Sequence, residues 1–194
     1  MFGGTFDPIH IGHLIMAEGV INEIDTLDEI IFIPSADPPH KNKHELANFS
    51  DRFKMVQAAI QDNSYFSCSD IENRLQGKSY SIRTIKYFRE NYDLEKDELY
   101  FLIGEDSLND LADWKSPAEI VSLCNLIVVA RRASNKKEYT KENKFYKEVQ
   151  FVENVPFIDI SSTMIRKQIQ KNKSIRYLVP ETVNHYISAK KMYI

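Results

Sequence analysis

Three apolar runs rich in β-branched and aromatic residues restrict the fold of this chain more than any other feature. They occupy residues 29–34, 98–104 and 126–130. Runs of this length are typical of buried β-strands. Amphipathic segments with helical spacing accompany them at residues 12–24, 51–61 and 80–91. The alternation predicts βαβ units, and therefore an α/β protein with a doubly wound, mainly parallel sheet covered by helices on both faces.

The remaining segments extend this pattern into one domain over residues 1–194. Ser50 is the predicted N-cap of the helix at 51–61. Residues 134–148 are rich in Lys, Glu and Asn, which indicates a solvated connection or a short surface helix. Further on, the sequence predicts a small helical C-terminal part. It consists of extended pieces around 149–152 and 157–160 and helices at about 162–171 and 181–190.

Composition excludes several classes of protein. Hydrophobic residues make up 43% and charged residues 27% of the 194 residues, as in ordinary globular domains. A net charge of −3 argues against bulk electrostatic binding to nucleic acid. No stretch approaches the roughly 20 apolar residues of a membrane helix. The two cysteines, Cys68 and Cys124, indicate reduced, buried thiols rather than a zinc site. We expect a soluble cytoplasmic protein without membrane or nucleic-acid partners; a homo-oligomer stays open.

The segment at residues 2–13 combines a glycine pair with two histidines. Gly3 and Gly4 allow backbone amides to approach an anion closely. His10 and His13 are three residues apart at a predicted helix start, so they share one face, and Gly12 between them leaves space for a ligand. A helix N-terminus adds a favourable dipole for a phosphate. Separately, a glycine pair is often only a turn, and two histidines can bind a metal. No third ligand is evident nearby, so we predict no protein-bound metal.

A second segment, residues 160–166, has hydroxyl side chains and one arginine at a helix start. Ser161 is a natural N-cap, and Arg166 falls in the first turns of that helix. Alone, this pattern is equally typical of a capped surface helix. Together with the first segment, it predicts a clamp for phosphates.

Both segments resemble signatures of the nucleotidyltransferase superfamily, which also includes class I aminoacyl-tRNA synthetases. Residues 2–13 are similar to its GGTFDPIHxGH signature and residues 160–166 to its ISSTxIR signature. The resemblance implies a Rossmann-like fold and catalytic roles for His10, His13 and Arg166. It also implies that ATP contacts Gly3, Gly4, Thr5, Phe6, Gly12, Gly104, Asp106, Ile160, Ser161, Ser162 and Thr163.

Three further segments resemble nicotinate-nucleotide adenylyltransferases. Residues 34–41 are similar to that family's PxxxPPHK loop, which implies that His40 binds the acceptor nucleotide and that Lys41 has both a binding and a catalytic role. Residues 79–84 resemble its SYT-x-DT segment, although Ser81 and Arg83 depart from it and Thr84 does not.

The third segment, residues 104–117, follows a predicted strand and therefore lies at the carboxyl edge of the sheet, where open α/β sheets bind ligands. There Asp106 could accept a hydrogen bond from a ribose hydroxyl or an amino group. Core packing is the commoner use of a tryptophan such as Trp114. The resemblance implies instead that Trp114 stacks on the pyridine ring. It also implies that backbone amides near Thr84 and Trp114 contact the nicotinate carboxylate.

The resemblance implies that the chain transfers the adenylyl group of ATP to nicotinate mononucleotide in NAD biosynthesis, with Mg²⁺ held mainly by the ATP phosphates. Two alternatives stay open. Phosphopantetheine adenylyltransferases share the first motif and a related second one. A non-catalytic nucleotide-binding module of the same fold would also fit, although such a module would be expected to have lost the histidines or the arginine.

Overall fold

A computed structural model of the protein describes residues 1–39, 46–129 and 145–194. Its centre is a six-stranded sheet in which every paired strand is parallel, with the order β3-β2-β1-β4-β5-β6. The strands are β1 (Phe2–Gly4), β2 (Ile30–Pro34), β3 (Phe66–Cys68), β4 (Tyr100–Ile103), β5 (Asn125–Val129) and β6 (Val149–Val152).

Helices follow most of the strands, as a parallel sheet requires. They are α1 (Ile11–Glu23), α2 (Phe49–Ile60), α3 (Ile71–Leu75), α4 (Ser81–Tyr92), α5 (Glu105–Asp110), α6 (Pro117–Leu123), α7 (Ser162–Gln170) and α8 (Glu181–Lys190).

Both faces of the sheet are covered because successive strand residues point to opposite sides. Leu102 and Ile127 belong to a core cluster that contains buried residues of α1, α2, α7 and α8. Phe101 and Ile103, their neighbours along β4, belong to a second cluster with α4, α5 and α6. The predicted doubly wound architecture is confirmed, and every described strand pair is parallel.

Element boundaries agree with the prediction in most places and differ in a few. The prediction that Ser50 caps α2 was wrong. The helix begins at Phe49, and Asn48 caps it by accepting a hydrogen bond from the Asp51 amide at 2.8 Å. The extended piece at 157–160 is a loop rather than a strand. The last residue of the predicted strand at 126–130 and most of the segment 134–148 lie outside the described residues.

The C-terminal helices complete a core that the N-terminal helices begin. Val183 and Ile187 of α8 are buried in the same cluster as Val56 of α2. Two side chains of α8 also bond to α2: the Thr182 hydroxyl donates to the Ala58 carbonyl at 2.8 Å, and Tyr186 donates to Asp51 at 2.7 Å. These contacts fix α8 against α2.

The cysteines are free thiols. Cys124 is buried and Cys68 is partly buried in β3, so the prediction of full burial holds for Cys124 alone. Burial raises the pKa of both thiols to about 12, which keeps them protonated and unreactive at neutral pH. Among the described residues, no helix has the length and apolar character needed to span a membrane.

Gly19 gives a test of how α1 packs. A Cβ atom at this position would lie 2.5 Å from Cγ1 of Val155, a buried β-branched side chain with little freedom to move. Alanine gains about 1 kcal/mol of helix propensity over glycine, but overpacking costs about 1–3 kcal/mol. We expect Gly19→Ala to lower the free energy of unfolding by about 1 kcal/mol net.

Urea denaturation of Gly19→Ala measures this change, with Asn22→Ala as the control at an exposed position of the same helix. The control gains propensity without a clash, so its stability should stay level or rise. Equal stabilisation of both variants would show that Val155 does not restrict α1.

Candidate functional site

Two cavities meet at the carboxyl ends of β1 and β4, where the strand order reverses. The histidine cavity lies between the start of α1, the start of α5 and residues 156–163. The tryptophan cavity lies between the loop after β2, residues 79–81 and Trp114. Four residues line both cavities and form a common floor: Gly3, Gly4, Gly104 and Ser107. Two ligands bound side by side would therefore meet at the glycine-rich end of β1.

His10 and His13 form the centre of the histidine cavity. Their rings stack with centroids 3.6 Å apart, and Nδ1 of His13 accepts a hydrogen bond from the His10 amide at 3.2 Å. His10 is the N-cap of α1. Phe6, which also lines the cavity, packs its ring edge-on against His13 with centroids 5.0 Å apart. The predicted sharing of one face by the two histidines is confirmed.

His10 is held as a neutral base. It is 6% exposed, and its Nδ1 has no hydrogen-bond partner among the described residues. Burial lowers the pKa of His10 to about 4, because the imidazolium loses its hydration. At neutral pH this imidazole can donate from one nitrogen without adding a positive charge to the interior.

Gly4 and Gly12 lie where any larger side chain would press against a neighbouring ring. A Cβ at Gly4 would lie 2.8 Å from the Phe6 ring. A Cβ at Gly12 would lie 3.1 Å from Nδ1 of His10. Gly12 therefore makes room for the His10 ring and also borders the open space that the sequence predicted beside it. Both glycines also line the cavity itself.

Residues 160–163 form another wall of the histidine cavity. Ile160, Ser161, Ser162 and Thr163 all line it. The Ser161 hydroxyl caps α7 by accepting from the Met164 amide at 3.2 Å, so the predicted N-cap is confirmed. The Ser162 hydroxyl donates to the Pro8 carbonyl at 2.9 Å, which ties α7 to the turn before His10.

Arg166 lies one turn further along α7 and is not among the residues lining either cavity. Its Nη1 donates to the Asp7 carbonyl at 2.8 Å, and Nη2 donates to the Thr163 hydroxyl at 3.4 Å. The two ends of the chain therefore do converge, since Asp7 precedes His10 by three residues. The guanidinium is turned toward the turn at Asp7 rather than into the cavity.

The start of α5 supplies another wall of the histidine cavity. Gly104 follows β4 as the N-cap of α5, and Asp106 is exposed in the first helical turn and lines the cavity. Of the predicted ATP contacts, only Thr5 does not line this cavity. It lines the tryptophan cavity instead.

The tryptophan cavity has an aromatic wall. Trp114 is partly buried, and its ring lies 6.2 Å from that of Phe101 at a tilt of 56°. Its own amide donates to the Leu111 carbonyl at 3.2 Å, so this amide is already paired. Pro38 and Pro39 form the facing wall. His40 and Lys41, which follow them, lie outside the described residues.

Thr84 reaches the tryptophan cavity only through another side chain. Its hydroxyl donates to Glu72 at 3.1 Å inside the protein, and Glu72 lines the cavity. Burial raises the pKa of Glu72, and hydrogen bonds from Ser79 and Thr84 partly oppose this shift. Arg83 has a structural role here: it donates to the carbonyls of Leu75, Gln76 and Lys78 and holds the loop after α3.

Two residues that fix the cavity walls, Ser79 and Arg52, were not predicted from the sequence. The Ser79 hydroxyl accepts hydrogen bonds from the amides of Ala36 and Asp37, both at 2.9 Å. It thereby anchors the loop that contains Pro38 and Pro39, the proline loop, beside the tryptophan cavity. Arg52, which is 1% exposed, donates to the Thr5 carbonyl at 2.7 Å and holds the glycine loop from behind. Both contacts join residues more than 40 positions apart, so no local pattern announces them.

The low pKa of His10 predicts how stability depends on pH. As the pH falls, the unfolded state, with a histidine pKa near 6.5, binds a proton before the folded state does. The contribution of His10 to the free energy of unfolding is therefore fully present above pH 6.5 and is lost as the pH drops toward 4. From pH 7 to pH 5, His10 should remove about 2 kcal/mol from the free energy of unfolding.

Urea denaturation at both pH values, on the wild type and on His10→Gln, measures this contribution. The control is His185→Gln, at a side chain that is 74% exposed on α8. The His10 variant should lose about 2 kcal/mol less than the wild type and the control. An unchanged pH dependence in His10→Gln would show that the imidazole is not held neutral by burial.

Comparison with known proteins agrees with this geometry. The Cytidylyltransferase-like family matches residues 1–168. A protein of Caldicellulosiruptor bescii named "probable nicotinate-nucleotide adenylyltransferase" is 42% identical, over 100% of this chain and 97% of its own length. A protein of Clostridium novyi with the same name is 40% identical, with the same coverage.

Among solved structures, the nicotinic acid mononucleotide adenylyltransferase of Plasmodium falciparum, complexed with NaAD, has the same fold. It matches with a TM-score of 0.79 at 21% identity, over 99% of this chain and 95% of that one. Given the family match and the full-length relatives, the chain belongs to the Cytidylyltransferase-like family and, within it, to the nicotinate-nucleotide adenylyltransferases.

Proposed function

We propose that the protein transfers the adenylyl group of ATP to nicotinate mononucleotide, giving nicotinate adenine dinucleotide and pyrophosphate in NAD biosynthesis. The observation that carries the proposal is the floor of Gly3, Gly4, Gly104 and Ser107 shared by the two cavities. ATP in the histidine cavity and the acceptor in the tryptophan cavity would bring their phosphates together over this floor. The names of the full-length relatives support the same reaction.

The chemistry is an in-line displacement at the α-phosphorus of ATP. A phosphate oxygen of the acceptor forms a bond to this phosphorus, while the bond to the bridging oxygen breaks and pyrophosphate leaves with that electron pair. The attacking oxygen is already ionised, so no side-chain nucleophile or strong base is needed. Alignment and stabilisation of charge on the phosphates therefore supply the catalysis.

The histidine cavity suits this task because it offers hydrogen-bond donors on two sides. His10 and His13 contact the phosphates from α1, and the amides of residues 161–163 with the hydroxyls of Ser161 and Thr163 contact them from α7. Arg166 reaches the departing pyrophosphate by leaving the Asp7 carbonyl, and Lys41 contributes from the proline loop.

A divalent cation completes the proposal. Mg²⁺ bound to the ATP phosphates would neutralise part of their charge. Among the described residues, no group of three or more histidine, cysteine, aspartate or glutamate side chains is placed to hold a metal ion.

Recognition of the acceptor rests on the tryptophan cavity. Trp114 packs on the pyridine ring, and binding of the acceptor phosphate is assigned to His40 and Lys41, as the resemblance of residues 34–41 implies. Since the Trp114 amide is paired with Leu111, we assign the nicotinate carboxylate to amides in the first turn of α4, which begins at Ser81 on the cavity wall. Such amides favour an anion over a neutral amide group.

The two free cysteines are compatible with a cytoplasmic location, which the proposal includes.

The direct test is pyrophosphate release from ATP and Mg²⁺ with nicotinate mononucleotide, nicotinamide mononucleotide or phosphopantetheine as acceptor. We expect the highest kcat/KM with the nicotinate form and no release when EDTA removes Mg²⁺. Preference for phosphopantetheine would replace the assigned acceptor. ATP binding without release from any acceptor would identify a non-catalytic nucleotide-binding module.

His13→Ala tests the phosphate-binding role of the histidines. Loss of a donor that contacts the transition state should lower kcat by about 100-fold or more. His185→Ala, at the exposed position on α8, is the matched control and should retain wild-type turnover. Comparable kcat values for the two folded variants would remove His13 from the mechanism.

A further inference from the structure

The last residues of the chain return to the loop that precedes the histidines. The Tyr193 hydroxyl donates to Oδ1 of Asp7 at 2.7 Å, across 186 positions of sequence. Asp7 is only 1% exposed, and the same oxygen also accepts from the Ala47 amide at 3.3 Å. This contact joins the C-terminus to a residue three positions before His10.

Seating Tyr193 against Asp7 requires an unusual backbone. Lys191 ends α8 as its left-handed C-cap, and Tyr193 adopts the left-handed conformation again, with φ of 65°. Non-glycine residues seldom occupy this region, because it carries a conformational cost. The neighbouring Met192 is buried in the core cluster that also holds α8. Packing and the Asp7 bond together offset the cost, which indicates that the contact is a built feature of the fold.

The second oxygen of Asp7 faces the arginine proposed to bind pyrophosphate. Oδ2 lies 3.8 Å from Nη1 of Arg166, while the same nitrogen donates to the Asp7 main-chain carbonyl at 2.8 Å. Oδ2 is buried and has no hydrogen-bond partner among the described residues. Asp7 is therefore bonded firmly to Tyr193 on one side and only loosely paired with Arg166 on the other.

We propose that Tyr193 is a positioning residue: its hydroxyl fixes the Asp7 carboxylate so that Arg166 is held close to the histidine cavity without being locked in a direct ion pair. The inference rests on the proposed adenylyl transfer. Without the hydroxyl, the buried carboxylate loses a strong partner and moves toward Arg166, whose Nη1 already lies 3.8 Å from Oδ2. Arg52, the other guanidinium that interacts with Asp7, is bonded to the carbonyls of Ala47 and Thr5. Arg166 would then be withdrawn from the triphosphate.

The protonation state of Tyr193 suits this role. Burial raises its pKa well above the usual range, and the charge of Asp7 acts in the same direction, although Arg166 and Arg52 partly oppose it. The phenol therefore keeps its proton and remains a donor at every pH at which the enzyme would work.

The test is Tyr193→Phe, which removes one hydroxyl oxygen and keeps the ring. The matched control is Tyr186→Phe, because the Tyr186 hydroxyl also donates to an aspartate, Asp51, at 2.7 Å, and neither residue lines a cavity. We expect kcat/KM for ATP to fall about tenfold in Tyr193→Phe, with KM for nicotinate mononucleotide within about twofold of wild type. Tyr186→Phe should keep both parameters.

A second substitution separates positioning from simple loss of stability. In Asp7→Asn/Tyr193→Phe the side chain at position 7 has no charge with which to hold Arg166, so kcat/KM for ATP should recover relative to Tyr193→Phe. Thermal unfolding of all variants is measured in parallel. The proposal is overturned if Tyr193→Phe matches Tyr186→Phe, if it raises the acceptor KM equally, or if the double variant shows no recovery.

Failure of the proposed function would be distinguishable, because the wild type itself would then release no pyrophosphate. In that case calorimetric titration with a non-hydrolysable ATP analogue replaces turnover. Weaker binding of the analogue by about tenfold in Tyr193→Phe, but not in Tyr186→Phe, would still support the positioning role. Equal affinities would overturn it.

Discussion

The divergence of the chain at the carboxyl ends of β1 and β4 is the constraint on which the rest of the structure depends. These strands are neighbours, pairing at Phe2 and Leu102. The next strand after β1 is β2, which lies beside β1 in one direction of the strand order, and the next strand after β4 is β5, which lies beside β4 in the other direction. The segments after them must separate, and a crevice opens between them. The glycine loop and the start of α5 are both positioned by this divergence, so the two cavities share a floor as a consequence of topology.

That crevice must accept anions although the described lining carries little positive charge. Among the described residues, the histidine cavity is lined by Glu105, Asp106 and Asp159 and by no lysine or arginine. Phosphate binding there has to rely on amides, hydroxyls and imidazoles, whose dipoles are fixed by the fold. Neutral donors cost less to bury than cations, because they lose less hydration on leaving water. The neutral His10 is consistent with such a lining, and in the proposed reaction Arg166 is the cation that α7 supplies to the phosphates.

The sequence predicted the features that local patterns encode. The apolar runs that became β2, β4 and β5 and the stacked pair of His10 and His13 depend on spacings of a few residues. Short helices such as α3, with five residues, have too few turns to show a periodicity. Ser50 was predicted as the N-cap of α2, but Asn48, another good capping residue two positions earlier, takes that place. The sequence alone does not decide between two capping residues so close together. Gly12 was predicted to leave space for a ligand and lines the cavity, but its close contact with the His10 ring could not be predicted.

Long-range polar contacts could not be predicted, and they determine where the site residues point. Asp7 belongs to the signature at residues 2–13, but no local pattern shows that its carboxylate is buried and bonded to Ala47 and Tyr193. A buried carboxylate needs strong partners, so substitution at any of them changes the balance among the others. In the proposal for Tyr193, the phosphate contact of Arg166 therefore depends on a side chain that lines neither cavity. In a fold whose phosphate-binding elements come from opposite ends of the chain, the contacts that seat the C-terminus also set the geometry of the N-terminal loop.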